Sequence, residues 1–127
     1  MSSPYQDLRV WKLAMQLAGE IYKSTEHFPD REKYGLVSQI RRAAVSVASN
    51  IAEGKGHRSD REFLHFLYHA RGSLFEVETQ LLLGKQLNYI SAKETSEIQQ
   101  TITATARSMT GLINALAEQP AAAVTRS

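Results

Sequence analysis

The sequence has no cysteine, only three prolines and a single tryptophan. Without thiols there are no disulfide staples, no cysteine nucleophile and none of the thiolate zinc sites that hold many small domains together. Long apolar runs are missing too. The longest span a few residues, such as Leu81 to Leu83, against the roughly 20 needed to cross a bilayer. Met1 to Asp7 lacks the basic and then apolar profile of a signal peptide. A cytoplasmic protein with no membrane partner is therefore expected. No stretch shows the period-two alternation of a strand, so no β element competes for the chain.

What is present is an ordinary globular composition, with 43% hydrophobic and 22% charged residues. At 127 residues the chain is long enough for one core and too short for two. The formal charge is only +2 and the isoelectric point about 9.0, but the excess is local. Between Arg31 and Arg61 stand seven cations and three anions, a surplus of +4.

Helical periodicity runs through four segments separated by turn chemistry. The predicted helices cover about 5–26, 31–54, 60–86 and 91–118, within a domain of residues 1–119 followed by a disordered tail at 120–127. Leu8, Trp11, Met15, Ala18 and Tyr22 give the first helix an apolar line, and Ser3 or Asp7 offers its cap. Phe28-Pro29-Asp30 ends it. The second helix has Leu36, Ile40, Ala43, Val47 and Ile51 as its inner line, with Val37, Ala44, Ala48 and Ala52 beside them. Gly54-Lys55-Gly56 supplies glycine for a left-handed C-terminal cap. Ser59-Asp60-Arg61-Glu62 and Ser91-Ala92-Lys93-Glu94 read as capping boxes that start the third and fourth helices. The fourth carries a narrower line, Ile98, Ile102, Met109, Ile113 and Leu116, broken by Thr101, Thr103, Thr105 and Thr110, and Pro120 closes it. Connections this short make consecutive helices antiparallel, so the fold class is all-α, an up-down-up-down four-helix bundle.

The third helix has two apolar lines. Phe63, Leu67, Ala70, Leu74, Val77 and Leu81 form the first. Leu64, Tyr68, Phe75 and Leu82, shared with Arg71 and Glu78, form the second. A helix in a solitary bundle needs one apolar face, so the second predicts a subunit interface made by Leu64, Tyr68, Arg71, Phe75, Glu78 and Leu82. Arg71 and Glu78 within that line are expected to be paired and to fix the register of a helix or subunit contact.

No catalytic site is expected. Glu62-Phe63-Leu64-His65 has the spacing used in di-iron bundles, but that site needs the motif twice. His65 and His69 stand one turn apart and share a polar line with Glu62, Ser73, Glu76 and Gln80, which reads as a solvated face; neither a metal nor another cofactor is predicted. Glu76 and Glu78 point to different sides of a helix. Ser46, Ser49 and Ser59 have no nucleophile partners, and Gly54-Lys55-Gly56 is no phosphate loop. The strongest functional cluster is Arg41, Arg42, Lys55, His57, Arg58 and Arg61. A basic patch at a helix junction suits phosphates, helped by the free N–H groups that start the third helix. Copies arranged in a ring repeat such a patch around one axis and concentrate its field.

Phe28-Pro29-Asp30-Arg31-Glu32-Lys33-Tyr34-Gly35-Leu36, Gln39-Ile40-Arg41-Arg42-Ala43-Ala44 and Ser49-Asn50-Ile51-Ala52-Glu53-Gly54-Lys55-Gly56 resemble the bacterial four-helix-bundle family of proteins encoded in intervening sequences of 23S ribosomal RNA genes. Tyr5 to Trp11 and Gly72 to Leu81 add to the likeness, which runs to about Tyr89. The resemblance implies an antiparallel bundle, assembly into homopentamers, and kinship with nucleic-acid-binding accessory proteins of diversity-generating retroelements. Catalytic residues are not part of the pattern. Members often have Pro where Ala48 stands here. Two roles follow as expectations: an oligomeric module that binds RNA or DNA, with Arg41, Arg42, Lys55 and Arg58 on phosphates while Asn50 and Glu53 hold the end of the second helix, or a scaffold that binds only protein.

Overall fold

The computed structural model describes residues 4–126, with side chains as far as Glu118. Four α-helices account for nearly all of it: α1 (Arg9–Thr25), α2 (Leu36–Lys55), α3 (Asp60–Gln86) and α4 (Ala92–Arg126). Each packs on its two neighbours around the bundle, α1 on α2 and α4, and α3 on α2 and α4, with no close diagonal approach of backbones among the described residues. This is the up-down-up-down arrangement that the short connections dictate, and the described residues contain no strand.

The core follows from the spacing of small and branched apolar residues. All five inner residues of α2 and all six of the first α3 line are buried, and Val37, Ala44 and Ala48 are buried beside them. On α1 the buried line is Val10, Ala14, Leu17 and Ile21, not the one expected from Leu8 to Tyr22. Leu8, Trp11 and Ala18 lie at the edge of the core, while Met15 and Tyr22 are exposed. α1 carries two apolar lines, and the slimmer one is buried. On α4 some threonines join the core, while Thr103 and Thr110 are exposed as interruptions should be. Thr95, Thr101 and Thr105 are buried, and the Thr95 and Thr105 hydroxyls each donate to the carbonyl four residues back at 2.7 Å. That bond satisfies the polar atom within its own helix.

The ends of the helices use different chemistry from that expected. No glycine among the described residues has positive φ. Gly54 lies inside α2, and the residue after the helix, Gly56, is right-handed at φ −72. Gly54 is there for close approach: a Cβ would stand 2.6 Å from Phe66 Cβ and 3.0 Å from a Phe63 ring carbon. The left-handed cap occurs instead at Asn88, φ 63. Asn88 N–H donates to Lys85 O at 3.0 Å and Tyr89 N–H to Gly84 O at 2.9 Å, the paired bonds of a Schellman ending, where Asn is the usual substitute for Gly. Ser59 and Ser91 cap α3 and α4 as expected, accepting from Glu62 N–H at 3.2 Å and Glu94 N–H at 3.1 Å. α4 runs on through Pro120 to Arg126, past the stop expected at Pro120. Pro removes one hydrogen bond, and the alanines at 121–123 that follow are the strongest helix formers. The proposed Ser3 cap lies outside the described residues.

α2 starts at Leu36, later than the predicted Arg31, because residues 30–32 form a 3-10 turn. Glu32 then reaches forward: its Oε1 accepts Leu36 N–H at 3.2 Å and its Oε2 accepts Tyr89 O–H at 2.9 Å. One carboxylate thereby caps α2 and ties it to the α3–α4 connection. The Leu36 N–H, the Tyr89 hydroxyl and the Arg31 guanidinium hold its carboxyl below the ordinary glutamate range. With the folded value lowered, the stabilisation is complete above the ordinary pKa and is lost as pH falls through the folded value. Glu32→Gln is therefore expected to lower the melting temperature at neutral pH. The gap from the parent should narrow as pH falls below the ordinary glutamate range; a gap unchanged in acid melts would count against this cap.

Candidate functional site

α3 is buried on one side and open on another. While Leu67, Leu74 and Leu81 are almost fully enclosed, Tyr68 is 46% exposed, Phe75 56% and Leu82 47%. Leu64 is half-buried at the core edge, and Arg71 and Glu78 are half-buried. Leu64, Tyr68, Arg71, Phe75, Glu78 and Leu82 alternate steps of four and three, the heptad spacing by which one helix seats against another. Within the chain, Arg71 and Glu78 do not pair with each other. The Arg71 guanidinium lies 5.0 Å over the Tyr68 ring, and Glu78 accepts from Gln99 Nε2 at 2.5 Å. Glu78 thus links α3 to α4.

The six basic residues do not form one patch. Arg41 sits at the C-terminal end of α1, where its Nε donates to Thr25 Oγ1 at 2.9 Å and its Nη2 to Tyr22 O at 3.1 Å. Its guanidinium also lies 4.6 Å over the Tyr22 ring. A cation on the last carbonyls of a helix is favourable to the helix dipole, so Arg41 holds α1 to α2. Arg42, next along, faces a polar groove of about 430 Å³ with Ser46, Ser73 and Glu76 in its walls. At 3.6 residues per turn and 1.5 Å per residue, Arg42 is about 140° round α2 from Lys55 and about 20 Å along it.

Lys55, His57, Arg58 and Arg61 gather at the connection from α2 to α3. His57 is engaged: Nδ1 lies 2.5 Å from Glu62 Oε2, and its ring stacks on Phe66 at 4.9 Å. Lys55 Nζ lies 5.9 Å over the Phe63 ring. Among the described residues the His57–Glu62 contact is the only one between a basic and an acidic side chain within 4 Å, which leaves Lys55, Arg58 and Arg61 without an anionic partner there, and Arg58 and Arg61 are exposed. The helix terminus itself is already served. Ser59 takes the Glu62 N–H, and Asp60 and Glu62 occupy the first turn, where their carboxylates oppose the approach of another anion. Asn50 also has another role from that expected: its Nδ2 donates to Ser46 O at 2.8 Å and Ser46 Oγ at 3.0 Å. Ser46 in turn meets Ser73 Oγ at 3.0 Å, a polar bridge from α2 to α3 that takes Ser73 off the solvated line.

The remaining polar line of α3 holds His65 and His69, both exposed. Their Nε2 atoms meet at 3.2 Å, a convergence that the spacing allowed but did not reveal. No group of three or more His, Asp or Glu residues is placed to hold a metal ion among the described residues, and no helix is long and apolar enough to cross a membrane.

A family model described as 23S rRNA-intervening sequence protein matches residues 6–111, which extends the likeness well into α4. Among solved structures, the chain is similar to a protein of unknown function from the S23 ribosomal protein family of Bacteroides thetaiotaomicron. Identity is 23%, the alignment covers 83% of this chain and 95% of that one, and the TM-score is 0.76; at this identity the likeness is one of fold. No curated protein sequence matches.

Proposed function

Since the chain belongs to the family of 23S rRNA-intervening sequence proteins, we propose that it acts without catalysis, as a self-associating bundle whose copies present the α2–α3 junction to the phosphates of RNA or DNA. The observation that carries this reading is the open heptad line on α3. Tyr68, Phe75 and Leu82 recur every seven residues and remain about half exposed, and large side chains in that pattern are spent on a partner helix. A second copy fits the line chemically. It carries one cation, Arg71, and one anion, Glu78, so the surface is self-complementary and a neighbouring copy can offer each the opposite charge. The pentameric ring implied by the family resemblance uses such a face repeatedly around one axis.

Assembly makes the basic junction effective. Three cations without an anionic partner are a weak polyanion site on one chain, but repeated around a ring they bind an extended phosphate backbone many times over. Phosphate contacts of this kind position the ligand and do not read its sequence. Arg58, Arg61 and Lys55 carry the role, Arg42 lies on another face, and Arg41 belongs to the fold.

Filter binding of structured RNA and single-stranded DNA at several salt concentrations tests the proposal. The affinity should fall with salt, and Arg58→Ala or Arg61→Ala should weaken binding to all sequences and reduce the salt slope by about one per contact per chain. Arg41→Ala should instead lower the melting temperature, because it removes two hydrogen bonds from a charged donor. Absent or salt-independent binding by a well-assembled protein supports the other reading, a scaffold that takes only protein partners.

A further inference from the structure

We infer that His65 and His69 form a chelating site for a borderline divalent transition ion such as Zn(II), Ni(II) or Cu(II), on the exposed side of α3 beside the heptad line. The two residues are four apart on a continuous helix, the separation at which side chains stand one above the other. Their rings are nearly perpendicular, at 80° with centroids 4.6 Å apart, and the two Nε2 atoms are 3.2 Å apart. Metal–imidazole bonds are 2.0–2.1 Å long, so two nitrogens at this separation reach one ion together with an angle at the metal of roughly 100°, close to tetrahedral. Little backbone movement is needed, because both residues lie well inside a hydrogen-bonded helix.

Without an ion, one Nε2–H donates to the lone pair of the other. Binding needs both lone pairs, so in the complex each ring carries its proton on Nδ1 and presents Nε2 to the ion. His65 is also set by its edge contact with Phe66, centroids 5.8 Å apart, which limits its rotation. Imidazole selects zinc, nickel and copper over calcium and magnesium. Since no third His, Asp or Glu is placed to complete the site, water fills the other positions. Glu62, one turn earlier, is held by His57.

Calorimetric titration of the full chain with ZnCl2, and electron paramagnetic resonance with one equivalent of Cu(II), test this directly. The expected result is one ion per chain and two imidazole nitrogens on copper. His65→Ala and His69→Ala should each weaken zinc binding on the order of a hundredfold, the loss expected when a bidentate ligand becomes monodentate, while His27→Ala leaves it unchanged. Both variants keep the fold, because both side chains are exposed; circular dichroism checks this. Equal affinity in the parent and both variants, or a single nitrogen on copper, overturns the site. The count is per chain, so the outcome does not depend on whether the copies assemble.

Discussion

Gly54→Ala is expected to destabilise the bundle by about 1–3 kcal/mol, the usual cost of forcing a group into a filled contact. The sign is what makes the experiment decisive. Alanine is the better helix former by about 1 kcal/mol, so at a glycine with space around it the same change stabilises. At Gly54 the added carbon meets Phe66 Cβ at 2.6 Å and Phe63 Cδ1 at 3.0 Å. A Cβ is fixed to its backbone and cannot rotate away, so α2 and α3 must separate along a contact that also holds the Ser46–Ser73 bridge. Gly19 provides the opposite case: it lies in α1 with nothing within 4 Å of an added Cβ. Gly19→Ala is expected to gain about 0.5–1 kcal/mol. Urea midpoints at one protein concentration, with slopes compared to check that the unfolded state is unchanged, measure both. A gain at Gly54 would contradict the close approach of α2 and α3.

The fold was legible in the sequence wherever one line of residues had no rival. α2 and the inner face of α3 keep their four-three spacing through small and branched residues, and the structure buries them all. α1 carries two apolar lines, of which the spacing from Leu8 to Tyr22 picks out only one. Trp11, Met15 and Tyr22 bring more apolar surface, but the line the structure buries is Val10, Ala14, Leu17 and Ile21. The threonines of α4 read as interruptions because a pattern of residue types does not show a hydroxyl bonding its own helix. The candidate sites divide in the same way. The second line of α3 follows from spacing alone, and the structure leaves its aromatics open to solvent. Arg41 was grouped with its basic neighbours because its partners, Thr25 and Tyr22, are remote in sequence and become adjacent only when α1 folds against α2. His65 and His69 had the spacing of a chelate, but whether their nitrogens converge depends on rotamers.

If copies associate through the α3 line as proposed, Phe75→Glu, alone or with Tyr68→Glu, is expected to give a folded monomer, as measured by size-exclusion chromatography with light scattering. Within one chain the change is mild, because both side chains are about half exposed and neither belongs to the buried core. At an interface the effect is large. Covering a large aromatic contributes about 1.5–3 kcal/mol, and an unpaired carboxylate at the same place adds a desolvation cost. A total of about 3 kcal/mol or more per contact weakens association by more than a hundredfold, and in a ring every copy suffers it. Leu83→Glu separates interface from surface chemistry. Leu83 is 42% exposed on the same helix but lies off the heptad line, so this variant should keep the parent's mass. A parent that is monomeric at tens of micromolar, or a Phe75→Glu protein of unchanged size, rules out self-association through this face. The same variant also links the two halves of the functional proposal. It leaves Lys55, Arg58 and Arg61 in place, so any binding gained by repeating them around an axis should disappear along with the assembly. If the monomer binds RNA as tightly as the parent, the basic junction acts alone and the copies associate for another reason.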